Sequence, residues 1–341
     1  MNWKKNKILL QNGENADAQE PIIVSASRST DIPAFYSDWF IERLKQGYVK
    51  WKNPFNGVPL YVSFKETRLI VFWSKNAKPM IKHLDYLNDK NINYYFQYSL
   101  NDYTKERLEA KVGSVEKRIE TFIELSEKIG KEKVIWRFDP YILTDTSGVD
   151  ELLKRTEYIG NQLKNHTDKL VFSFADIKTY KKVQNNLRKD SVPYEEFNER
   201  TMNELALGLQ ELNKNWNFEI GTCAEKIELK KYGIIHNKCI DDDLMKKLFY
   251  KDKKLMEFLG YELEQADLFT NQVKLVPKKS RNLKDKGQRE VCGCIMSKDI
   301  GQYNTCPHEC LYCYANTSVE TAKRNYKQHR ENPFSETIIG E

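Results

Sequence analysis

The sequence predicts an α/β protein, a complete or partial (β/α) TIM-like barrel followed by a cysteine-rich tail. Short runs of β-branched and aromatic residues alternate with longer stretches at helical spacing along most of the chain. About six such strand–helix units follow one another, which is typical of a mostly parallel sheet. Hydrophobic residues make up 40% of the 341 residues, enough for a sizeable core. An open doubly wound sheet is the alternative.

The predicted elements begin after a polar N-terminal stretch. Residues 1–20 are aperiodic and favour a loose arm or a cap. Apolar runs at 60–64 and 69–73 are separated by four polar residues and predict a hairpin. The other expected strands are 21–27, 94–100, 134–139, 170–174 and 218–223, and the expected helices are 36–46, 77–89, 105–129, 149–165, 178–188, 194–214, 225–231 and 241–259.

Composition divides the chain into an N-terminal arm, a barrel domain, a linker and a tail. The strand–helix pattern extends over residues 21–273. Residues 274–290 hold seven basic and two acidic side chains, which favours a solvated linker, with a basic nucleic-acid strip as the alternative. Residues 291–341 form the cysteine-rich tail.

Charge and hydropathy limit the location and the partners. The net charge is +6, from 55 basic and 49 acidic residues, which permits a nucleic-acid partner without requiring one. The first 20 residues lack the ~7–15 apolar residues of a secretory signal. No stretch approaches the ~20 apolar residues of a membrane span. We therefore expect a cytoplasmic protein without a membrane partner, in which clustered cysteines are metal ligands rather than disulfides.

The strongest chemical pattern is the spacing Cys306-x3-Cys310-x2-Cys313. Three thiolates on one tight loop can bind three irons of a [4Fe-4S] cluster and leave the fourth iron open to a small chelating ligand. Structural zinc sites usually pair two C-x2-C knuckles to supply four ligands, so zinc is the alternative here. Pro307 and His308 favour an irregular loop, and His308 either shields the cluster or, as we expect, is solvated.

Four cysteines lie outside this loop. Cys292 and Cys294 are close to it in sequence and are expected either to bind metal or to support the cluster. Together with Cys223 and Cys239 they would supply the ligands of a second cluster or a zinc ion. The alternative is that Cys223 and Cys239 are ordinary buried residues, and for Cys239 we favour it.

The tail and several upstream segments resemble a known group of proteins. The segments are SASRSTDIPAFY, FWSKNAKPM, WRFDP, GTCAE, and the terminal CGC followed by YNTCPHECLYCYAN. They resemble an uncharacterised bacterial and archaeal family, a domain of unknown function whose C-terminal cysteines are similar to the cluster motif of radical-SAM enzymes. The last segment is also similar to the cluster loop of spore photoproduct lyase and its relatives. The resemblance covers nearly the whole chain after residue 20.

This resemblance implies radical-SAM-like chemistry on an unknown substrate, a small molecule or a nucleic acid. It implies a [4Fe-4S] cluster, S-adenosylmethionine (SAM), and an electron donor such as ferredoxin or flavodoxin. Tyr312 resembles the aromatic residue that packs near the adenine in such proteins. Radical-SAM enzymes place the cluster loop after the first barrel strand, whereas here it lies near the end of the chain. Either the tail folds back over the barrel mouth or the strand order is permuted, and a glycine-rich segment for the methionyl amine is not evident.

Polar residues at the carboxyl ends of the predicted strands indicate a ligand site, because the functional residues of parallel barrels lie at that end. Period-two alternation places two of them, Arg137 and Asp139, on one face of their strand, where they can form a buried ion pair. The candidate catalytic residues are Arg28, Asp31, Arg137, Asp139 and Glu225.

Lys75 and Asn76 follow the second strand and are candidates, with Tyr312, for cofactor binding. Lys75 and Arg28 are suited to bind a carboxylate or phosphate. Two other functions remain open. One is acid–base chemistry in the barrel through Asp31, Asp139 or Glu225, with the tail as a structural metal site. The other is a non-enzymatic nucleic-acid-binding or redox-sensing iron–sulfur protein.

Overall fold

The computed structural model describes residues 3–54, 56–267 and 270–341. The strands of these residues, numbered in chain order, are β1 (Lys5–Leu9), β2 (Asn15–Gln19), β3 (Ile23–Ala26), β4 (Tyr48–Lys52), β5 (Pro59–Ser63), β6 (Leu69–Ser74), β7 (Asn93–Ser99), β8 (Val134–Tyr141), β9 (Leu143–Thr144), β10 (Lys169–Phe174), β11 (Tyr194–Glu195), β12 (Glu219–Thr222), β13 (Ile234–His236), β14 (Tyr261–Asp267), β15 (Thr270–Pro277) and β16 (Lys298–Asp299).

α-Helices lie between seven of the fifteen successive pairs of these strands. The α-helices are α1 (Ile32–Phe35), α2 (Ser37–Gln46), α3 (Lys78–Ile81), α4 (Leu84–Asp89), α5 (Val115–Ile129), α6 (Val149–Leu163), α7 (Lys181–Lys189), α8 (Glu199–Asn213), α9 (Asp242–Phe249), α10 (Lys253–Leu259) and α11 (Val319–Glu331). Short 3-10 turns lie at Lys131–Lys133, Ile177–Thr179 and Lys230–Tyr232. Within the described ranges, no helix is both long and apolar enough to cross a membrane.

The central feature is a sheet of eight strands in the order β13-β12-β10-β8-β7-β6-β3-β16. Every neighbouring pair in it runs parallel. From β3 to β13 the strands lie side by side in chain order, and the last strand, β16, lies beside β3. Nothing in the described parts of the chain pairs β13 with β16, so the sheet is open. The predicted α/β class with a parallel sheet is confirmed, and a closed barrel is not formed.

The two faces of this sheet bury different sets of side chains, because successive residues of a strand point to opposite sides. On one face, Trp136 and Phe138 belong to a core built with the helices that follow the strands, including α5, α6 and α8. On the other face, Ile135 belongs to a core completed by α9, α10 and residues 283–295. Arg137 and Asp139 share the parity of Ile135, which places them on this second face.

The predicted hairpin of residues 60–64 and 69–73 is wrong. β5 pairs with β2 and β4 in a separate four-stranded sheet, whereas β6 lies in the eight-stranded sheet between β3 and β7. Nearly every residue of β6 is buried, which suits a strand covered on both faces. The polar segment between the two apolar runs therefore connects one sheet to the other. The same small sheet contains β1 and β2, so residues 5–19 form a hairpin rather than a loose arm.

Several predicted helices are shorter than the periodicity indicates. The helix expected over 105–129 begins at Val115, where the Ser114 side chain caps it by accepting a hydrogen bond from Lys117 N. Residues 225–231 contain no α-helix, although a 3-10 turn starts at Lys230. The expected linker at 274–290 begins inside β15, which pairs antiparallel with β14. The polarity of the local sequence was therefore a poor guide to where these helices and this linker begin.

Candidate metal-binding site

β16 leads into residues 305–314, here named the three-cysteine loop because they contain Cys306, Cys310 and Cys313. The two residues of β16 pair with Val24 and Ser25 of β3. The loop therefore starts at the carboxyl edge of the sheet, where parallel strands present their functional residues. The Asp299 carboxylate secures this position by accepting hydrogen bonds from Ser25 Oγ (3.0 Å), Ser27 Oγ (2.6 Å) and Arg28 N (2.8 Å).

Asp31 holds the first half of the three-cysteine loop against the sheet. It is 5% exposed, and its carboxylate is 2.8 Å from His308 Nε2. It also accepts hydrogen bonds from Ser74 Oγ and Lys75 N, both at 2.7 Å, and caps α1 through Ala34 N at 3.0 Å. One buried side chain thus joins the end of β3, the end of β6 and the loop.

The expectation that His308 is solvated is wrong. Its side chain is buried, and its ring packs edge-on against Phe35 with the centroids 4.6 Å apart. Its Nδ1 lies 3.4 Å from Lys111 O. A buried imidazole requires partners for its nitrogens, and Asp31 and Lys111 provide them. Sequence distance concealed this contact, since Asp31 precedes His308 by 277 positions.

A second buried network holds the other half of the loop through Tyr312. Lys75 Nζ lies 2.7 Å from Glu109 Oε1 and donates to Tyr312 Oη at 2.9 Å. Tyr312 donates to Glu109, and Asn101 Nδ2 donates to Tyr312 Oη at 3.1 Å. Although burial opposes it, Lys75 and Arg118 hold the pKa of Glu109 below its usual value. Lys75 and Tyr312, both predicted cofactor residues, therefore contact each other.

Glu109 was not among the predicted site residues. It lies in a turn-rich segment whose backbone pairs with the loop: Glu109 bridges Cys310 in antiparallel fashion. Leu311 N donates to Leu108 O at 2.9 Å, and Lys111 N donates to His308 O at 3.0 Å. The sequence predicted one long helix over 105–129, so the irregular segment that contains Glu109 was not recognised. No residue type in that segment indicated a site.

The three thiols of the loop suit a soft metal. Each is free and partly exposed. Burial raises the pKa of the Cys306 and Cys310 thiols, so that deprotonation there requires a neighbouring cation. In this described loop the three sulfurs do not all lie within 4.8 Å of one another. A loop with three thiolates can bind zinc or the irons of a cluster.

Arg137 and Asp139 form the predicted ion pair. Arg137 Nε lies 3.1 Å from Asp139 Oδ2, and Nη2 contacts the same oxygen. Nη1 donates to Gln97 Oε1 at 3.1 Å. Two guanidinium groups lie over the Trp73 ring, that of Arg137 at 5.2 Å and that of Arg28 at 5.3 Å from the ring centroid. Although burial opposes it, Arg137 holds the pKa of Asp139 below its usual value.

The other candidates lie nearby in different settings. Glu225 accepts a hydrogen bond from Phe174 N at 3.0 Å, and burial raises its pKa to about 7. Asn76 makes local turn contacts with Ser74 and Lys78 and none with the three-cysteine loop in the described residues. Cys292 and Cys294 pack in the core of the second sheet face beside Cys239. That core also receives the partly buried Cys223.

A family model described as Domain of unknown function (DUF1848) matches residues 23–315. This range runs from β3 through the three-cysteine loop and contains the whole eight-stranded sheet and all seven cysteines. Among curated proteins and among solved structures, nothing matches the chain. The match spans well over half of the sequence, and the chain therefore belongs to the DUF1848 family.

Proposed function

We propose that this protein is an iron–sulfur enzyme of the radical-SAM kind, in which Cys306, Cys310 and Cys313 bind a [4Fe-4S] cluster. The observation that carries the proposal is that the three-cysteine loop leaves the carboxyl end of a parallel strand that lies beside β3. In the radical-SAM enzymes that the sequence resembles, the loop follows the first barrel strand. β16 lies beside β3 although it comes last in the chain, and this supports our proposal that the strand order of a partial barrel is permuted.

When bound, such a cluster supplies an electron for reductive cleavage of SAM. The protein's own contribution is to hold the loop rigidly. Asp31 fixes His308, two residues after Cys306, and the Lys75–Glu109 pair fixes Tyr312, one residue before Cys313. Sites supported by buried hydrogen-bonded neighbours keep their geometry better than sites on unsupported loops.

Arg28 is the proposed anchor for the carboxylate of SAM or for an anionic group of the substrate. Its Nη2 is buried and has no hydrogen-bond partner in the part of the chain that the structure describes. A buried guanidinium N–H without a partner is costly, and a carboxylate would satisfy it with a charge-assisted bond. Lys75, the other predicted cation, is already paired with Glu109, and we assign it to holding Tyr312.

The partners follow from the same chemistry. A cluster of this type requires a one-electron donor, for which a ferredoxin or flavodoxin is suitable. Free thiols in such numbers suit a reducing, cytoplasmic setting. The substrate is proposed only as a small molecule or a nucleic acid, because no described contact selects between them.

The test compares wild-type protein with the triple variant Cys306→Ser/Cys310→Ser/Cys313→Ser, both reconstituted anaerobically. The wild type should hold about four more irons and four more sulfides per chain than the variant. Its reduced EPR spectrum should change when SAM is added. Zinc in place of iron, or a reduced cluster whose spectrum SAM does not alter, would contradict the proposal.

Arg28→Gln tests the proposed anchor. It should retain the full iron content of the loop and weaken SAM binding by about tenfold or more, the effect of losing a charge-assisted hydrogen bond of ~1.5–3 kcal/mol. Arg68→Gln is the matched control, because Arg68 is paired with Asp252 away from the loop. Unchanged SAM affinity in Arg28→Gln would remove Arg28 from the site.

A further inference from the structure

The four cysteines outside the three-cysteine loop pack in or against one core, although they come from three separate segments. Cys223 follows β12, Cys239 follows β13, and Cys292 and Cys294 precede β16. The sulfurs of Cys223 and Cys239 are 3.5 Å apart, and Cys239 N donates to Cys294 Sγ at 3.2 Å. All four are free thiols, and three of them are at most 7% exposed. We name them the four-cysteine group.

Several N–H donors point at the sulfurs of this group. Cys294 Sγ accepts hydrogen bonds from two successive backbone amides, Cys239 N at 3.2 Å and Ile240 N at 3.4 Å. Cys239 Sγ accepts from Arg137 Nη1 at 2.9 Å and from Asn237 Nδ2 at 3.4 Å. A neutral thiol is a weak acceptor. Two donors directed at one buried sulfur are instead suited to a thiolate, the form that binds metal.

The charges around the group point the same way. Arg137 donates to Cys239 directly, and Arg28 lies over the same Trp73 ring as Arg137, with its Nη2 buried and without a hydrogen-bond partner in the described structure. Four thiolates around a divalent ion carry a net charge of −2, since 4 × (−1) + 2 = −2. Buried charge of that size requires nearby cations, and these two guanidinium groups supply them. Each of these guanidinium groups also has a carboxylate partner, Asp139 for Arg137 and Asp285, at 3.8 Å, for Arg28, so the two cations offset only part of the charge of the group.

We propose that Cys223, Cys239, Cys292 and Cys294 bind a second metal centre, separate from the three-cysteine loop and independent of its proposed function. A buried all-thiolate set selects zinc or an iron–sulfur cluster over magnesium or calcium. Since all four ligands come from the protein, the centre is closed and structural rather than substrate-binding. It ties the ends of β12 and β13 to the segment that enters β16 and so fixes the edge strand that carries the three-cysteine loop.

The test uses the same triple variant, Cys306→Ser/Cys310→Ser/Cys313→Ser, in which the four-cysteine group is intact. One sample of the full-length variant is incubated with zinc, and another is reconstituted anaerobically with iron and sulfide. The metal content of each is measured after desalting. We expect either about one zinc or up to about four irons per folded chain. These results distinguish the zinc form from the cluster form, and each supports a second centre. A folded variant that retains less than about a tenth of a metal per chain in both arms overturns the proposal.

Two further measurements separate this centre from the loop. Cys292→Ser/Cys294→Ser in an otherwise wild-type chain should lose the metal that the triple variant keeps, while retaining the loop's iron. If that variant fails to fold, the triple variant is titrated with cobalt instead. The absorption spectrum of a tetrathiolate cobalt complex would support the centre. A spectrum without thiolate-to-cobalt bands would overturn it. Loss of iron from the loop alone would contradict the proposed function and leave the four-cysteine centre standing.

Discussion

Replacing Asp31 with Asn should release the three-cysteine loop from the sheet. The Asp31 carboxylate accepts four hydrogen bonds, from Ala34 N, Ser74 Oγ, Lys75 N and His308 Nε2, at 2.7–3.0 Å. An amide keeps the shape but offers only one acceptor oxygen. Whichever way it is turned, its NH2 group faces at least one buried backbone N–H, so a donor loses its partner.

The magnitude follows from the number of donors affected. A buried donor left unsatisfied costs about 1–3 kcal/mol, and more where the acceptor was charged. With one or two donors affected, Asp31→Asn should weaken the docking of the loop by about 2–4 kcal/mol. Since 1.4 kcal/mol is a factor of ten, amide hydrogen exchange in the loop should become roughly 30- to 700-fold faster.

Hydrogen-exchange mass spectrometry on reduced, metal-free protein measures this directly in peptides that cover residues 305–314. Exchange in β10 should change little, which separates release of the loop from general unfolding. Asp38→Asn is the matched control, because Asp38 is 62% exposed and its charged partners among the described residues are Lys82 and His83 at the surface. Loop exchange within threefold of wild type would refute the assignment of Asp31 as the residue that holds the loop.

Three more predictions concern the scaffold. Glu106→Gln should lower the free energy of unfolding by about 1.5–3 kcal/mol in urea titrations, because buried Arg155 loses the charged partner that it binds at 2.7 and 2.9 Å and keeps Glu151, 3.1 Å from its Nε. Gly160→Ala should destabilise by about 1–3 kcal/mol despite better helix propensity, since its Cβ would lie 2.4 Å from the Trp216 ring. Burial lowers the pKa of His329 in the folded protein. Below pH ~6.5 the unfolded chain therefore binds more protons than the folded one, and stability decreases as the pH is lowered. His329→Phe should reduce the drop in melting temperature between pH 7 and pH 5.

Each of these has a contrary outcome. A urea midpoint unchanged by Glu106→Gln would show that Arg155 finds water or another acceptor. Gly113→Ala, whose new Cβ meets nothing within 4 Å, is the control for Gly160→Ala and should not destabilise to a similar extent. A His329→Phe protein with the same pH dependence as wild type would place the acid-sensitive group elsewhere.

Local pattern was sufficient to predict the parallel sheet and the polar residues at its carboxyl edge. The alternation of Arg137 and Asp139 with Trp136 and Phe138 also predicted their faces correctly, because period two is a property of the strand itself. It was not sufficient for contacts made across the chain. The bond from Asp31 to His308 spans 277 positions, and that from Ser25 to Asp299 spans 274.

The same limit explains the hairpin error and the omission of Glu109. Two apolar runs joined by four polar residues are compatible with a hairpin and with a crossing between sheets. The choice depends on whether the second run is covered on both faces, which only the tertiary structure determines. Glu109 has a role because Cys310 pairs with its backbone, and nothing within its own segment records that partner.

Arg28 connects the two groups of cysteines physically. Its backbone carbonyl accepts a hydrogen bond from Tyr314 Oη at 3.0 Å, one residue beyond Cys313 of the three-cysteine loop. Although burial opposes it, the pKa of its guanidinium is raised, chiefly by Cys294 of the four-cysteine group and then by Asp299. Trp73 continues the contact to Arg137, which touches Cys239. A change of charge in either group therefore acts on the same pair of cations, so metal loading of one group should shift the metal affinity of the other through Arg28, although each group binds its own metal.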